Sequence, residues 1–160
     1  MNQMSMMVEQ VNKLPQPDRT NKLSAMIGQI IKFAGYTGVV VEELNYNTAV
    51  VSLKNRTDVQ NHIGTIHAVA MILLAETASG ILLAMNVPED KIVLAKNMNT
   101  AFVKRSKGDM KVVATITQEQ IDMVKSTEKG EVKIEVVITD ETGLEPAKCE
   151  AIWAWVPKIK

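Results

Sequence analysis

Two features with the residue types and spacing for chemistry at a carbonyl group share one segment, residues 61–80, NHIGTIHAVAMILLAETASG. The first is the run Asn61, Gly64, Thr65, His67, Ala68, placed just ahead of a long apolar stretch without proline. If that stretch is a helix starting near residues 65–67, its leading N–H groups have no intrahelical partners and its dipole favours negative charge. Such an end stabilises an oxygen on which charge develops, with Ala68 N–H as the main donor and His67 orienting that donor or the substrate. The second feature is Glu76, mid-helix among Leu73, Leu74, Ala75 and Ala78. A carboxylate in that setting is expensive unless it is paired or used, and desolvation raises its pKa, which suits a general base or nucleophile.

Plainer readings stand beside these. His67 fits a helix cap, and Glu76 a satisfied or solvent-facing carboxylate. Asn61 fits either the positioning of water and carboxylate or an Asx turn before a glycine-containing loop. Gly64 fits a demand for backbone geometry, Thr65 a helix cap, and His62 a surface loop.

Helix length separates the two features. His67 and Glu76 are nine residues apart, about 13–14 Å on a helix rising about 1.5 Å per residue. One carbonyl cannot meet both in the same chain. Either one of them acts alone, or Glu76 reaches the site from a neighbouring subunit.

The surrounding sequence must position this helix. Residues 65–85 are apolar almost all the way round, and a helix of that kind must be buried. A membrane span needs about 20 mostly apolar residues, but the carboxylate at the centre costs roughly 2.5–3.5 kcal/mol there and the flanking sequence is strand-like. The segment therefore reads as a core helix that other structure wraps. Strand patterns occupy 37–44 and 48–53 before it, and 92–104, 111–117, 131–139 and 147–156 after it, with a helical turn over 118–125. Short connections between successive strands favour an antiparallel sheet. Ahead of the strands, residues 1–35 read as helical: one helix stopped at Leu14-Pro15, a second from Asp18 or Thr20 through Phe33, ended by Gly35. The whole chain, 1–160, reads as one α+β domain.

Composition removes several alternatives. The 160 residues are 46% hydrophobic, 22% charged and 4% aromatic, with zero formal net charge. That balance offers no global field for nucleic acid or an anionic membrane, and few stacking platforms for bases. The single cysteine, Cys149, forms no internal disulfide, and no Cys/His pair has zinc spacing. A reducing cytoplasm is the expected setting, and the first eleven residues lack the basic region of a secretory signal. There is no Gly-x-Ser-x-Gly elbow, phosphate-binding loop or dinucleotide fingerprint.

The central motif resembles that of hotdog-fold thioesterases. Members of the phenylacetate-pathway type carry Asn-x-x-Gly-x-x-His-Gly-Gly and an acidic residue nine positions after the His. Asn61, Gly64, His67, Ala68, Val69 and Glu76 follow that pattern. A thioesterase-like branch with N-H-x-G-T-x-H-A-x-A followed by L-A-E is matched more fully, over residues 55–80 and more loosely to the C-terminus. The resemblance implies a hotdog fold, with an antiparallel sheet of about six strands wrapped around a long central helix. It implies hydrolysis of acyl-CoA without metal or cofactor. It implies a homodimer, or a dimer of dimers, whose subunits pair through their sheets and share each site, so that Glu76 comes from the partner. Gly64 and Thr65 then lie on the substrate side, and Arg56, Lys104, Arg105 and Lys107 fit either contacts of the CoA phosphates or a solvated turn. The chain departs from the pattern where Gly-Gly is replaced by Ala68-Val69: a backbone donor survives, but the space beside it shrinks. A hotdog dehydratase or hydratase and a non-catalytic acyl-CoA binder are the alternative readings.

Overall fold

The computed structural model describes residues 2–159. Three helices precede the sheet. Helix α1, Gln3–Val11, opens with a capping box between Asn2 and Ser5, which satisfies N–H groups the helix itself cannot. Asn2 also fastens α1 to the far end of the core helix, its Nδ2 donating to the carbonyls of Ala84 and Val87, each at 2.6 Å.

The second helical stretch differs from expectation. It breaks at Ile31, whose ψ of 86° leaves the helical region, into α2, Asp18–Ile30, and α3, Lys32–Thr37. Gly35 does not end it. That task falls to Gly38, left-handed at φ 71°, so the first strand starts at Val40 rather than at residue 37. Gly35 serves the crossing of the two helices instead: a Cβ there would stand 2.6 Å from the carbonyl oxygen of Gly28. Because that obstacle is backbone, Gly35→Ala is expected to destabilise the domain by about 1–3 kcal/mol, read as a lower Tm in thermal unfolding.

Six strands follow: β1 Val40–Leu44, β2 Thr48–Leu53, β3 Lys91–Phe102, β4 Met110–Thr115, β5 Gly130–Asp140 and β6 Ala147–Pro157. They form one antiparallel sheet in the order β1-β2-β4-β5-β6-β3. Between β2 and β3 runs α4, Ala68–Asn86, and between β4 and β5 runs α5, Gln118–Ser126, capped by Thr117 and Gln120. Along β2 buried and half-buried residues alternate, putting Ala49, Val51 and Leu53 into the core. Helix α4 packs against β2, β3, β4, β5 and β6. By length and composition α4 could cross a membrane, yet most of it is buried within the domain. This is the expected architecture of a six-stranded antiparallel sheet around a central helix, the hotdog fold.

Trp153 of β6 locks the helix to the sheet. Its Nε1 donates to Ser79 Oγ at 2.8 Å, and that hydroxyl donates to the carbonyl of Ala75. At the edge of the sheet, β3 pairs with β6 along one side only. It is 12 residues long and exposes Ile92, Leu94 and Phe102. The opposite edge, β1, has only five residues and carries α2 beside it.

Candidate active site

The loop before α4 is built around Asn61. Its Oδ1 accepts from the N–H groups of Ile63 and Thr65, and its Nδ2 donates to Thr65 Oγ1 at 2.8 Å. Gly64 takes φ 77°, a left-handed turn in which a Cβ would meet nothing, so the residue is needed for its backbone and not for space. Gln60 and Ile66 then pair as an isolated β-bridge, and Ile66 is fully buried. Because Ile66 is held in that bridge and His67 is extended at ψ 142°, the helix cannot begin before Ala68. Thr65 is therefore not the cap, as its type suggests, but a tie within the loop.

His67 caps α4. Its Nδ1 accepts from Val69 N–H at 3.1 Å, while its carbonyl accepts from the N–H groups of Ala70 and Met71. An Nδ1 that accepts leaves the ring proton on Nε2 in the neutral imidazole, and the side chain is exposed. Of the four N–H groups in the first turn, Val69, Ala70 and Met71 thus have acceptors. Among the described residues, Ala68 N–H has none. It stands at the positive end of a helix 19 residues long, where the dipole adds to its pull on an anion.

Helix α4 is open along a single stripe. Its only residues that are not buried are Ala68, Val69, Ile72, Glu76, Gly80 and Ala84. They recur at intervals of three and four, which is one face of a helix. Glu76 is the one ionisable group on that face. It is half-buried, burial holds its carboxyl above the ordinary glutamate value of 4.5, and among the described residues it has neither a hydrogen-bond nor an ion-pair partner. Beside it, the hydroxyl of Thr77 is buried without a partner. One turn on, Gly80 lies under Trp153, whose Cη2 would be 2.7 Å from a Cβ at that position.

The expected site residues thus fall into two groups that one chain does not bring together. Asn61, Gly64, Thr65, His67 and Ala68 form one end. Glu76 lies eight residues beyond Ala68, about 12 Å along the helix. Gly80 is absent from the sequence-based set, although a glycine inside a helix costs about 1 kcal/mol against alanine, which already signals a close approach.

The cations divide as well. Arg56 is engaged inside the fold, its Nη2 donating to the carbonyl of Thr37 at 2.5 Å and its Nε to Asp58. Arg105 reaches the loop, its Nη2 3.4 Å from the carbonyl of Ile63. Lys104 and Lys107 are exposed on the same turn. Among the described residues no group of three His, Cys, Asp or Glu side chains is placed to hold a metal ion.

Comparisons with known proteins bear on the family and the fold. The family described as a domain of unknown function, DUF4442, matches residues 19–156. No curated protein matches the sequence. Among solved structures, a protein of unknown function from Pseudomonas aeruginosa, described as a "probable thioesterase", is 25% identical with a TM-score of 0.78, over 91% of this chain and 97% of that one. A thioesterase from Staphylococcus aureus is 19% identical with a TM-score of 0.66, over 79% of this chain and 99% of that one. A thioesterase from Haemophilus influenzae is 14% identical with a TM-score of 0.67, over 84% and 90% of the two chains. The last two likenesses are of fold.

Proposed function

Because the chain belongs to the DUF4442 family and carries an unpaired, half-buried carboxylate on its core helix, we propose that it hydrolyses acyl-CoA thioesters. That carboxylate is the observation that carries the reading. Among the described residues nothing satisfies Glu76, and a desolvated carboxylate without a structural partner is held at a cost unless it is used.

In this reading the thioester carbonyl oxygen sits on Ala68 N–H of one subunit, with His67 Nε2–H as a nearby second donor. Glu76 of the partner subunit takes a proton from water as the water oxygen bonds to the carbonyl carbon. The C–S bond then breaks, and the proton returns to the departing thiolate, leaving a free acid and CoA. Direct attack by the carboxylate, through an anhydride that water opens, uses the same placement. Asn61 acts as a positioning residue, since its oxygen already holds the loop. The CoA phosphates lie toward Lys104, Arg105 and Lys107, in a cytoplasmic setting.

A shared site requires a dimer, and β3 supports one. A long edge strand with an unpaired side and exposed apolar residues is an open invitation to another strand. Pairing of two β3 edges places each α4 beside its counterpart, in a homodimer or a dimer of dimers. The direct test is a panel of acyl-CoA substrates with detection of free thiol. Release of CoA thiol at rates well above the uncatalysed reaction is expected. Val69, 54% exposed where the resembling family has glycine, favours one rival, a protein that binds acyl-CoA without cleaving it. Tight binding with no free thiol from any substrate would establish that rival.

A further inference from the structure

The open stripe of α4 does not stop at Glu76. It continues through Gly80, where the missing side chain lets the Trp153 ring lie against the helix, and reaches Ala84, which lines a cavity of about 630 Å³. That volume is in the usual range of about 300–1,000 Å³ for ligand sites. Its other walls include Met4 and Met7 of α1, Ile30 of α2, and Ile92 and Val93 of β3. Three of these expose much apolar surface beside it: Met7 44%, Ile30 59% and Ile92 38%. The α1 wall is fastened in place, by Asn2 Nδ2 to the carbonyls of Ala84 and Val87 and by Gln3 N–H to Glu89 at 2.7 Å. A carboxylate, a turn walled by the Trp153 ring, and a cavity with an apolar wall rimmed by Gln3, Glu89, Lys91 and Lys158 therefore follow one another along the open stripe of the helix.

On the reading of Glu76 as the thioesterase carboxylate, we propose that this cavity holds the tail of the acyl group, and that the substrates are linear acyl chains of medium or greater length. From Glu76 to Ala84 is eight residues, about 12 Å of helix. An extended hydrocarbon advances about 1.2 Å per bond, as three backbone bonds cover about 3.5 Å of extended chain. About ten carbons therefore bridge the carboxylate and the cavity, and a short or compact acyl group leaves the cavity empty. Methionines suit such a wall because their unbranched, polarisable side chains adapt to a flexible tail. The N-terminal helices thus measure chain length in a site whose chemistry lies elsewhere on α4.

The test compares butyryl-, decanoyl- and palmitoyl-CoA as substrates, and the non-hydrolysable thioethers butyl-CoA and decyl-CoA as ligands in calorimetry. Wild type is expected to favour decanoyl- over butyryl-CoA in kcat/KM by at least tenfold, with the same order in binding. Met7→Trp and Ile30→Trp, both at partly exposed positions that tolerate a larger side chain, fill the cavity. Each is expected to lower the decanoyl/butyryl ratio about tenfold, roughly what two methylenes kept out of apolar contact forfeit. Met7→Ala enlarges the cavity and is expected to shift preference toward palmitoyl-CoA. A ratio near one in wild type, or a ratio unmoved in both folded tryptophan variants, overturns the tail site even while thiol is released. If no thiol is released but decyl-CoA binds more tightly than butyl-CoA and the tryptophan variants erase that difference, the tail site stands and the hydrolytic reading falls.

Discussion

Ala68→Pro is expected to lower kcat/KM for acyl-CoA about 100- to 1,000-fold, the loss that follows removal of one oxyanion donor, while leaving the fold intact. Few substitutions remove a backbone N–H so cleanly. Ala68 is the first residue of α4, the position where proline is best accommodated in a helix. No intramolecular bond is lost, because that N–H has no acceptor among the described residues. The preceding residue is also ready: His67 has φ −61° and ψ 142°, the extended region that a following proline demands. Unfolding should therefore show an unchanged or slightly higher Tm. Steady-state kinetics should show the loss in kcat rather than in KM, since the donor is used most as charge develops. An Ala68→Pro variant with full turnover would remove the helix end from the mechanism.

Glu76→Gln is expected to lower kcat/KM at least about 100-fold, as loss of a general base does, and at the same time to raise the Tm at neutral pH. The stability change follows from burial. The folded-state pKa of Glu76 lies above its ordinary value because the ionised form is poorly solvated. Both the folded and the unfolded chain hold a neutral carboxyl below the unfolded-state pKa, and the full folding stability is present there. As pH rises through the raised folded pKa, the fold must accept a charge that the unfolded chain solvates better, and stability is lost. Glutamine escapes that loss. The Tm gap between variant and wild type should thus be small in acid and widen toward neutral pH, by a few degrees at most because the group is only half-buried. The acid limb of wild-type kcat/KM should rise at a higher pH than an ordinary glutamate gives. A Tm gap that is flat with pH would mean that the ionised carboxylate has a partner in the assembled protein.

The two variants together examine the sharing of the site. A dimer of one Ala68→Pro subunit and one Glu76→Gln subunit contains one site with both defects and one with neither. Random mixing by co-refolding makes about half the dimers mixed, so the mixture should recover about a quarter of wild-type activity from two inactive parents. If each subunit carried a complete site of its own, mixing would recover nothing.

Much of the candidate site is legible in the amino-acid sequence because it depends on local order. The spacing of His67 and Glu76 along a helix separates the helix N-terminus from the carboxylate by a distance that no packing alters. The strands, too, appear within a few residues of their expected bounds, since β2 and its neighbours alternate inward and outward residues with turn chemistry between them. Expectation and structure part where local rules compete. Gly35 has the type of a helix stop but is required by the crossing against Gly28. Thr65 has the type of a cap, but the bridge between Gln60 and Ile66 keeps the chain extended past it.

The sequence alone therefore determined the two candidate groups of residues 61–80, the helix N-terminus and the carboxylate, and the helix length that keeps them from meeting in one chain. Only the tertiary structure decided which face of α4 stays open. A helix that is apolar on every side carries no pattern saying where its covering will stop. The sheet and the N-terminal helices close around all of it except the stripe from Ala68 through Glu76 to Ala84. That gap in the packing leaves Glu76 half-buried rather than enclosed, and it sets Ala84 in the wall of the cavity beside α1, an arrangement of residues too far apart in the chain for any local rule to anticipate.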